Sequence, residues 1–349
     1  MDRQIVLLQQ DQNGGRQEYI DYLKGASILS IVLFHLTWCY MHAVPSAVQT
    51  VTGIFSHATR LFFFCSGFGL YYSHLRHPLS YPVFLRRRML KVYLPYIAVI
   101  VVCAFVPFTY AYDDRFSAFL SHVFLYKMFI PRYIQTFGPF WFMSSIFQYY
   151  LLFYLLIRMK EKLDNDRMFA LIWAAVSLAY CILGWRIPAI EQTLGWVYGA
   201  CILMHGWAFV LGMLTAQKLY RSRMVSISVK QLLTGFAVSV PVYLMIRMTS
   251  PIMNEIPRAV LLMCVLTGFW AFCGSALRRF FAWLGTFSFE WYLLHMLLLE
   301  AVFRKAHPQH LADQCVVGAA GLLLTGFAAW AYHRLIVLIE KRNRSRTVR

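Results

Sequence analysis

Long apolar runs alternate with short polar or charged stretches along almost the whole chain. A helix that crosses the hydrocarbon core of a bilayer needs about 20 residues. Apolar runs bounded by charged residues or by Pro and Gly predict ten such spans. They lie near residues 21–42, 52–74, 89–110, 139–158, 167–186, 195–216, 229–249, 257–276, 280–304 and 311–338. The pattern therefore predicts an all-α fold, a polytopic transmembrane bundle of about ten helices.

An even number of spans places both ends of the chain on one side of the membrane. We expect residues 1–20 to form an N-terminal tail, residues 21–340 the transmembrane domain and residues 341–349 a basic C-terminal tail. The stretch before the first span is polar and lacks the apolar core of a cleavable signal peptide. We expect no additional soluble domain.

Basic residues predict the orientation of the bundle. The loops on the side of the two ends, together with the C-terminal tail, hold 20 Lys or Arg residues, whereas the opposite loops hold eight. Loops rich in Lys and Arg stay in the cytoplasm. We therefore expect a multi-pass protein of the cell membrane with both termini cytoplasmic. The segment from Asp113 to Phe137, aromatic but interrupted by charges, is predicted as an outer interfacial or re-entrant loop.

Composition narrows the class of protein. Hydrophobic residues make up 60% of the chain and charged residues 14%, with a mean hydropathy of +0.56, which is unlike a soluble domain. The net charge of +18 falls in short clusters and forms no continuous stripe, so we expect membrane lipids and no nucleic acid as partners. The eight cysteines form no C-x-x-C pair, and neither a disulfide framework nor a metal site is expected.

Ionisable residues inside the first span are the main candidates for chemistry, because charges cost a few kcal/mol at the bilayer centre. Lys24 and His35 are eleven residues apart, or roughly 16 Å of helical rise, and share one helix face. Asp21 lies one turn before Lys24. A histidine at this depth can take a proton from a hydroxyl near neutral pH, or it can be a structural residue bonded to a neighbouring helix. Position alone leaves both interpretations open.

Six motifs occur in order along nearly the whole chain. They are Asp21-Tyr-Leu-Lys24-Gly25 with His35, Leu61-Phe-Phe-Phe-Cys-Ser66-Gly67-Phe68, Phe84–Tyr96 with its basic cluster, Trp141-Phe-Met-Ser144 with Gln148-Tyr149-Tyr150, Leu284–His295, and Ile339-Glu340-Lys341. Each motif is weak by itself, but the ordered set is specific. The chain resembles acyltransferase family 3, integral membrane enzymes that move acyl groups from coenzyme A onto glycans or lipids.

The resemblance implies roles for individual residues. His35 is expected to act as the general base on an acceptor hydroxyl. Lys24, Arg88 and Lys91 are expected to hold the phosphates or the polar arm of acetyl-CoA, the acyl donor. Weaker candidates for the substrate site are Asp21, Ser66, Trp141, Ser288 and His295.

Several of these residues also have a purely structural interpretation. Basic residues near Arg88 can serve only as positive-inside anchors, which is the role expected for Arg86 and Arg87. Polar groups such as His295 can pair helices, and Ser66-Gly67 can serve close packing. Two further positions depart from the family pattern. Lys91 stands where the family commonly has an arginine, and a lysine cannot form the two parallel hydrogen bonds by which arginine holds a phosphate. Arg60 stands where many relatives carry an acidic or small residue, and it is predicted to snorkel to the outer interface.

The expected function is that of a membrane O-acyltransferase, which transfers an acetyl group from acetyl-CoA to a hydroxyl of a cell-envelope glycan or glycolipid. The expected partners are acyl-CoA and a glycan or lipid-linked sugar as acceptor. A ten-span bundle with intramembrane charge also suits a transporter or flippase of a lipid-linked glycan. Such folds often contain repeated halves with paired Gly/Pro breaks, which are not found in this sequence. A structural or sensor protein fits the composition but leaves the shared face of Lys24 and His35 unexplained.

Overall fold

In a computed structural model the chain is built almost entirely of helices. The structure describes residues 4–10, 17–106, 114–133, 136–138, 140–187, 199–246 and 252–347, with side chains described as far as residue 342. Parts of four predicted spans, residues 107–110, 139, 195–198 and 247–249, lie outside the described residues, as do parts of both tails. The helical architecture below therefore refers to the described ranges.

The helices alternate with short connections. In chain order they are α1 Glu18–Tyr40, α2 Ser46–Phe55, α3 Ala58–Arg76, α4 Tyr81–Phe105, α5 Arg115–Val123, α6 Trp141–Leu163, α7 Asp166–Arg186, α8 Ile202–Ser222, α9 Val229–Ile246, α10 Glu255–Phe272, α11 Ser275–Thr286, α12 Ser288–Ala306 and α13 Leu311–Thr347. Single 3₁₀ turns lie at Lys127–Phe129 and Pro131–Tyr133.

Seven of the described helices are long and apolar enough to cross a membrane: α1, α4, α6, α7, α9, α10 and α13. Helices α3, α8 and α12 have 19 to 21 residues and carry more polar groups. Each of these three helices places many of its side chains in the buried core. The prediction of an all-α polytopic bundle is confirmed.

Two of the predicted spans are interrupted. The span predicted at 52–74 divides between α2 and α3 at residues 56–57, and the one at 280–304 divides between α11 and α12 at Phe287. Ser56 and Ser288 donate hydroxyl hydrogen bonds to the carbonyls of Gly53 and Gly285, at 2.8 and 3.1 Å. Serine side chains that bond the local backbone in this way compete with regular helical bonding. The hydropathy of the sequence does not predict such breaks.

Two pairs of glycines bring helices together at backbone distance. A Cβ atom on Gly25 of α1 or on Gly285 of α11 would lie only 1.8 or 1.9 Å from a backbone oxygen of the other helix. A Cβ on Gly67 of α3 or on Gly212 of α8 would lie 2.0 Å from the opposing backbone oxygen. Small residues permit this close approach of membrane helices. The first contact fixes the end of α1 that carries Lys24.

Residues Gln4–Gln9 form a strand, β1, which pairs antiparallel with β2 at Met224–Ser228. The register places Gln4 opposite Ser228, with a bulge between Val6 and Leu8, and the Leu8 side chain is buried. The indole Nε1 of Trp270 donates to the Val6 carbonyl at 3.5 Å. The sequence predicted only a polar tail over residues 1–20, so this ribbon beside the start of α1 is an addition from the structure.

Candidate active site

A cavity of about 650 Å³ lies inside the bundle. Its walls come from α1, α3, α4, α6, α12 and α13, together with the end of α11. On α3 the lining extends from Thr59 to Leu70 through Phe62, Ser66 and Gly69, which are three or four residues apart and therefore share one face. Eleven residues of helix correspond to roughly 16 Å of rise. The cavity is long enough to hold an extended molecule.

One end of the cavity is cationic, although the Glu340 side chain of α13 also lines the cavity. Lys24 of α1 and Arg88 and Lys91 of α4 all line it, so the structure brings together the three residues predicted to hold the donor. Lys24 donates to the Asp21 carboxylate at 3.3 Å. The Arg88 guanidinium lies 5.6 Å from the centre of the Phe84 ring, and its buried Nε atom has no hydrogen-bond partner within the part of the chain that the structure describes. Arg88 therefore keeps one unpaired donor in the cavity wall.

Asp21 does not line the main cavity. It lines an adjoining cavity of about 290 Å³, which shares Lys24 and Gly69 with the main one. The Asp21 side chain is buried and its carboxylate accepts from Lys24. The geometry makes Asp21 a partner that orients Lys24 between the two cavities.

Helices α1 and α4 each widen into a π-helical turn beside a candidate residue. The turn Leu36–Tyr40 follows His35 directly, and the turn Met89–Tyr93 follows Arg88 and contains Lys91. Pro95 has no N–H to donate to the Lys91 carbonyl one turn earlier, which gives a local reason for the second turn. Such π-bulges occur frequently at functional sites. The hydropathy pattern predicts neither turn, although Pro95 is a sequence signal for one of them.

The two candidate histidines, His35 of α1 and His295 of α12, meet in the structure. Nδ1 of His35 lies 3.2 Å from Nε2 of His295, and the ring centres are 5.0 Å apart. His295 is fully buried, whereas His35 is half-buried. Neither residue lines the cavity directly, but Ile31 and Tyr292, about one helical turn before each of them, do. The histidine pair therefore lies roughly one turn, about 5 Å, beyond the cavity wall.

Two serines named from the sequence also reach the cavity. Ser66 and Ser288 both line it, on two different helices, α3 and α12. Ser288 donates to the Gly285 carbonyl at 3.1 Å. The Ser66 hydroxyl makes no hydrogen bond to any residue that the structure describes. It remains available to a bound molecule.

Glu290 and His333 form a hydrogen-bonded pair in the cavity wall, which was not predicted from the sequence. Nδ1 of His333 donates to the Glu290 carboxylate at 2.9 Å, and both residues line the cavity. From the sequence His333 had no evident partner, because Glu290 lies 43 residues earlier on another helix. The pair adds a polar patch between the cationic end and Tyr292.

Trp141 lies beside the cavity, next to the lining residue Phe142. The Arg60 guanidinium lies 5.4 Å from the Trp141 ring centre and forms an ion pair with the Glu255 carboxylate. Arg60 also donates to the Thr59 hydroxyl at 2.7 Å. The prediction that Arg60 snorkels to the interface is wrong, because its residue surface is only 7% exposed. The Glu255 carboxylate, which comes from a distant helix, neutralises it instead.

The segment between α4 and α6 packs near the same end of the bundle as Trp141. Lys127 is buried and donates to the carbonyls of Thr136 and Gly138, at 3.0 and 2.8 Å. Burial lowers the pKa of Lys127 to about 7. His122 bonds the Tyr96 hydroxyl at 2.8 Å, and burial lowers its pKa well below the ordinary value. These bonds fix a segment in which the sequence predicted only an interfacial loop.

A family model described as an acyltransferase domain matches residues 17–334 of the chain. The chain belongs to this acyltransferase family. The match spans α1 through most of α13, so the helical bundle is the acyltransferase domain. It also contains the cationic end of the cavity and both histidines. No curated protein and no solved structure matches the chain.

Proposed function

We propose that this membrane acyltransferase transfers an acetyl group from acetyl-CoA to a hydroxyl of a cell-envelope glycan or glycolipid. The observation that carries the proposal is a single cavity that begins at Lys24, Arg88 and Lys91 and ends one turn from His35. A cluster of cations suits the phosphates of a nucleotide. A histidine suits proton transfer from a hydroxyl.

The donor occupies the cavity from its cationic end. Lys24, Arg88 and Lys91 hold the phosphates of acetyl-CoA, and the pantetheine arm extends along the roughly 16 Å face of α3. Ser66 and Ser288, which both line the cavity, bond the amides of the arm or the thioester carbonyl. The basic loops on this side of the bundle favour a cytoplasmic location for the cationic end and for both termini.

The reaction is a transfer from sulfur to oxygen. The acceptor hydroxyl gives its proton to Nε2 of His35 while its oxygen attacks the thioester carbonyl carbon. The carbon–sulfur bond then breaks, the acetyl group stays on the acceptor oxygen, and the coenzyme A thiolate leaves and takes up the proton from His35. The acceptor reaches His35 from the end of the bundle opposite Lys24. There Trp141 offers an aromatic surface of the kind that packs against sugars.

The experiment uses inverted membrane vesicles from the native host, which carry the natural acceptor and expose the cytoplasmic face to radiolabelled acetyl-CoA. Vesicles with the wild-type protein should move label into the glycan or lipid fraction. His35→Ala should lower this transfer by at least about 100-fold, the contribution of a general base. His74→Gln, at a partly buried histidine of α3 that lines neither cavity, is the control at equal membrane level and should retain transfer. Equal transfer by His35→Ala and wild type contradicts the proposal.

A further inference from the structure

We propose that His295 is a positioning residue that, together with the Ile31 carbonyl, fixes the tautomer and the ring orientation of His35, so that Nε2 of His35 is the atom that takes the acceptor's proton. The inference rests on the proposed function, because it assigns a role within the same reaction. It replaces the expectation that His295 contacts the substrate. His295 touches His35 instead, and its other ring nitrogen is bonded to backbone.

The protonation of His295 follows from its neighbours. Nδ1 of His295 lies 2.8 Å from the Tyr292 carbonyl oxygen and 3.1 Å from that of Trp291. A carbonyl oxygen accepts hydrogen bonds and never donates them, so Nδ1 must carry the hydrogen. In the neutral ring Nε2 then carries a lone pair. The atom that faces His35 is therefore an acceptor.

The protonation of His35 follows in turn. Nδ1 of His35 lies 3.0 Å from the Ile31 carbonyl oxygen and 3.2 Å from Nε2 of His295. Both neighbours are acceptors, so Nδ1 of His35 carries the hydrogen and donates it to them. Nε2 of His35 keeps the lone pair, and no residue that the structure describes occupies it with a hydrogen bond. That nitrogen is the free base of the site.

His295 also stabilises the positive charge that forms during the reaction. When Nε2 of His35 takes a proton, the bond from Nδ1 of His35 to His295 becomes charge-assisted, which makes it roughly twice as strong as a neutral bond. His295 is fully buried, so water does not replace this acceptor. A neutral imidazole thus has the orienting role that a carboxylate has in many acid–base pairs.

The test compares two polar substitutions of similar size. In His295→Gln the side-chain amide reaches the place of Nε2, where its oxygen can accept from His35. In His295→Asn the amide reaches only the place of Nδ1, which leaves His35 without that acceptor. We expect His295→Asn to lower kcat by about 10- to 100-fold, the range for a lost hydrogen bond to a charged group. The KM for acetyl-CoA should change by less than about twofold, and His295→Gln should recover most of the rate.

Both variants are measured in inverted vesicles with radiolabelled acetyl-CoA, at equal membrane level and beside His35→Ala. Equal rates for His295→Asn and wild type would overturn the inference. So would equally low rates for His295→Asn and His295→Gln, because shape alone would then explain the loss. If His35→Ala is inactive and His295→Asn transfers acetyl groups at the wild-type rate, the proposed function is retained and only the positioning role of His295 is rejected. Full activity of His35→Ala would contradict both the proposed function and the positioning role of His295.

Discussion

Replacement of Arg88 by glutamine should weaken the binding of acetyl-CoA without slowing the chemical step. Arg88 lines the cationic end of the cavity together with Lys24 and Lys91. Arg86 lies two residues earlier in the same helix, is exposed and is not among the residues that line the cavity. Arg86→Gln removes the same charge from the same surface. The difference between the two variants isolates the contribution of the cavity.

The size of the effect follows from the surroundings of Arg88. A hydrogen bond to a charged group contributes about 1.5–3 kcal/mol when it is buried, and an exposed ion pair contributes about 0.2–1 kcal/mol. Arg88 lies between these limits, because its residue surface is partly exposed while its Nε atom is buried. We therefore expect a loss of about 1–2 kcal/mol. Since about 1.4 kcal/mol corresponds to a factor of ten, Kd should rise about 5- to 30-fold.

Equilibrium binding of radiolabelled acetyl-CoA to the purified protein in lipid nanodiscs measures this change and needs no acceptor. Raising the salt concentration should weaken binding to the wild type more than to Arg88→Gln, because the variant has one cation fewer for the phosphates. Equal affinities for Arg88→Gln and Arg86→Gln would show that the basic residues act only as a general positive surface. The donor site would then have to be placed elsewhere.

Two other buried charges give predictions about stability. Arg60→Leu should leave the partly buried Glu255 carboxylate with only the His57 ring beside it, 3.5 Å away, and should destabilise the protein by up to about 3 kcal/mol. The double variant Arg60→Leu, Glu255→Leu should recover most of that loss in detergent melting curves, and a double variant as unstable as the single one would refute the reasoning. Lys127 has a pKa of about 7 in the folded protein and about 10.4 when unfolded, so the unfolded chain holds the extra proton between these values and stability rises with pH. Lys127→Met should flatten this rise in melting temperature between pH 7 and pH 9, and an unchanged slope would exclude Lys127 as its source.

Local features of the site were predictable from the sequence because each of them lies within a single helix. Lys24 and His35 share a face of α1, and the basic cluster of α4 precedes an apolar run. Helical periodicity and hydropathy are enough to identify both. The structure then places Lys24 and the α4 residues Arg88 and Lys91 around one cavity.

Contacts between distant helices were not predictable in the same way. His295 meets His35 across 260 residues of sequence, and Arg60 meets Glu255 across 195. A single sequence does not predict which residues form such pairs, because each residue by itself is only an isolated polar group in an apolar helix. For Arg60 this led to the wrong prediction of a snorkelling side chain. The packing that brings the pairs together depends on backbone contacts such as the one at Gly25, whose partner is also far away.

Small interruptions of regular structure were also missed. The π-turn after His35 and the break at Phe287 leave the hydropathy pattern intact. The strand Gln4–Gln9 lies in a stretch that was predicted to be a polar tail. Its partner strand is more than 200 residues away in the sequence. Long-range pairing, and not the propensity of the segment, determines this element.

Mass spectrometry of envelope glycans and glycolipids tests the central claim most directly. The comparison is between cells that express the wild-type protein and cells that express His35→Ala at the same membrane level. We predict an added mass of one acetyl group on a glycan or glycolipid that appears only with the wild type. Identical spectra, accompanied by a lipid-linked glycan displaced across the membrane, would contradict acyl transfer and favour transport.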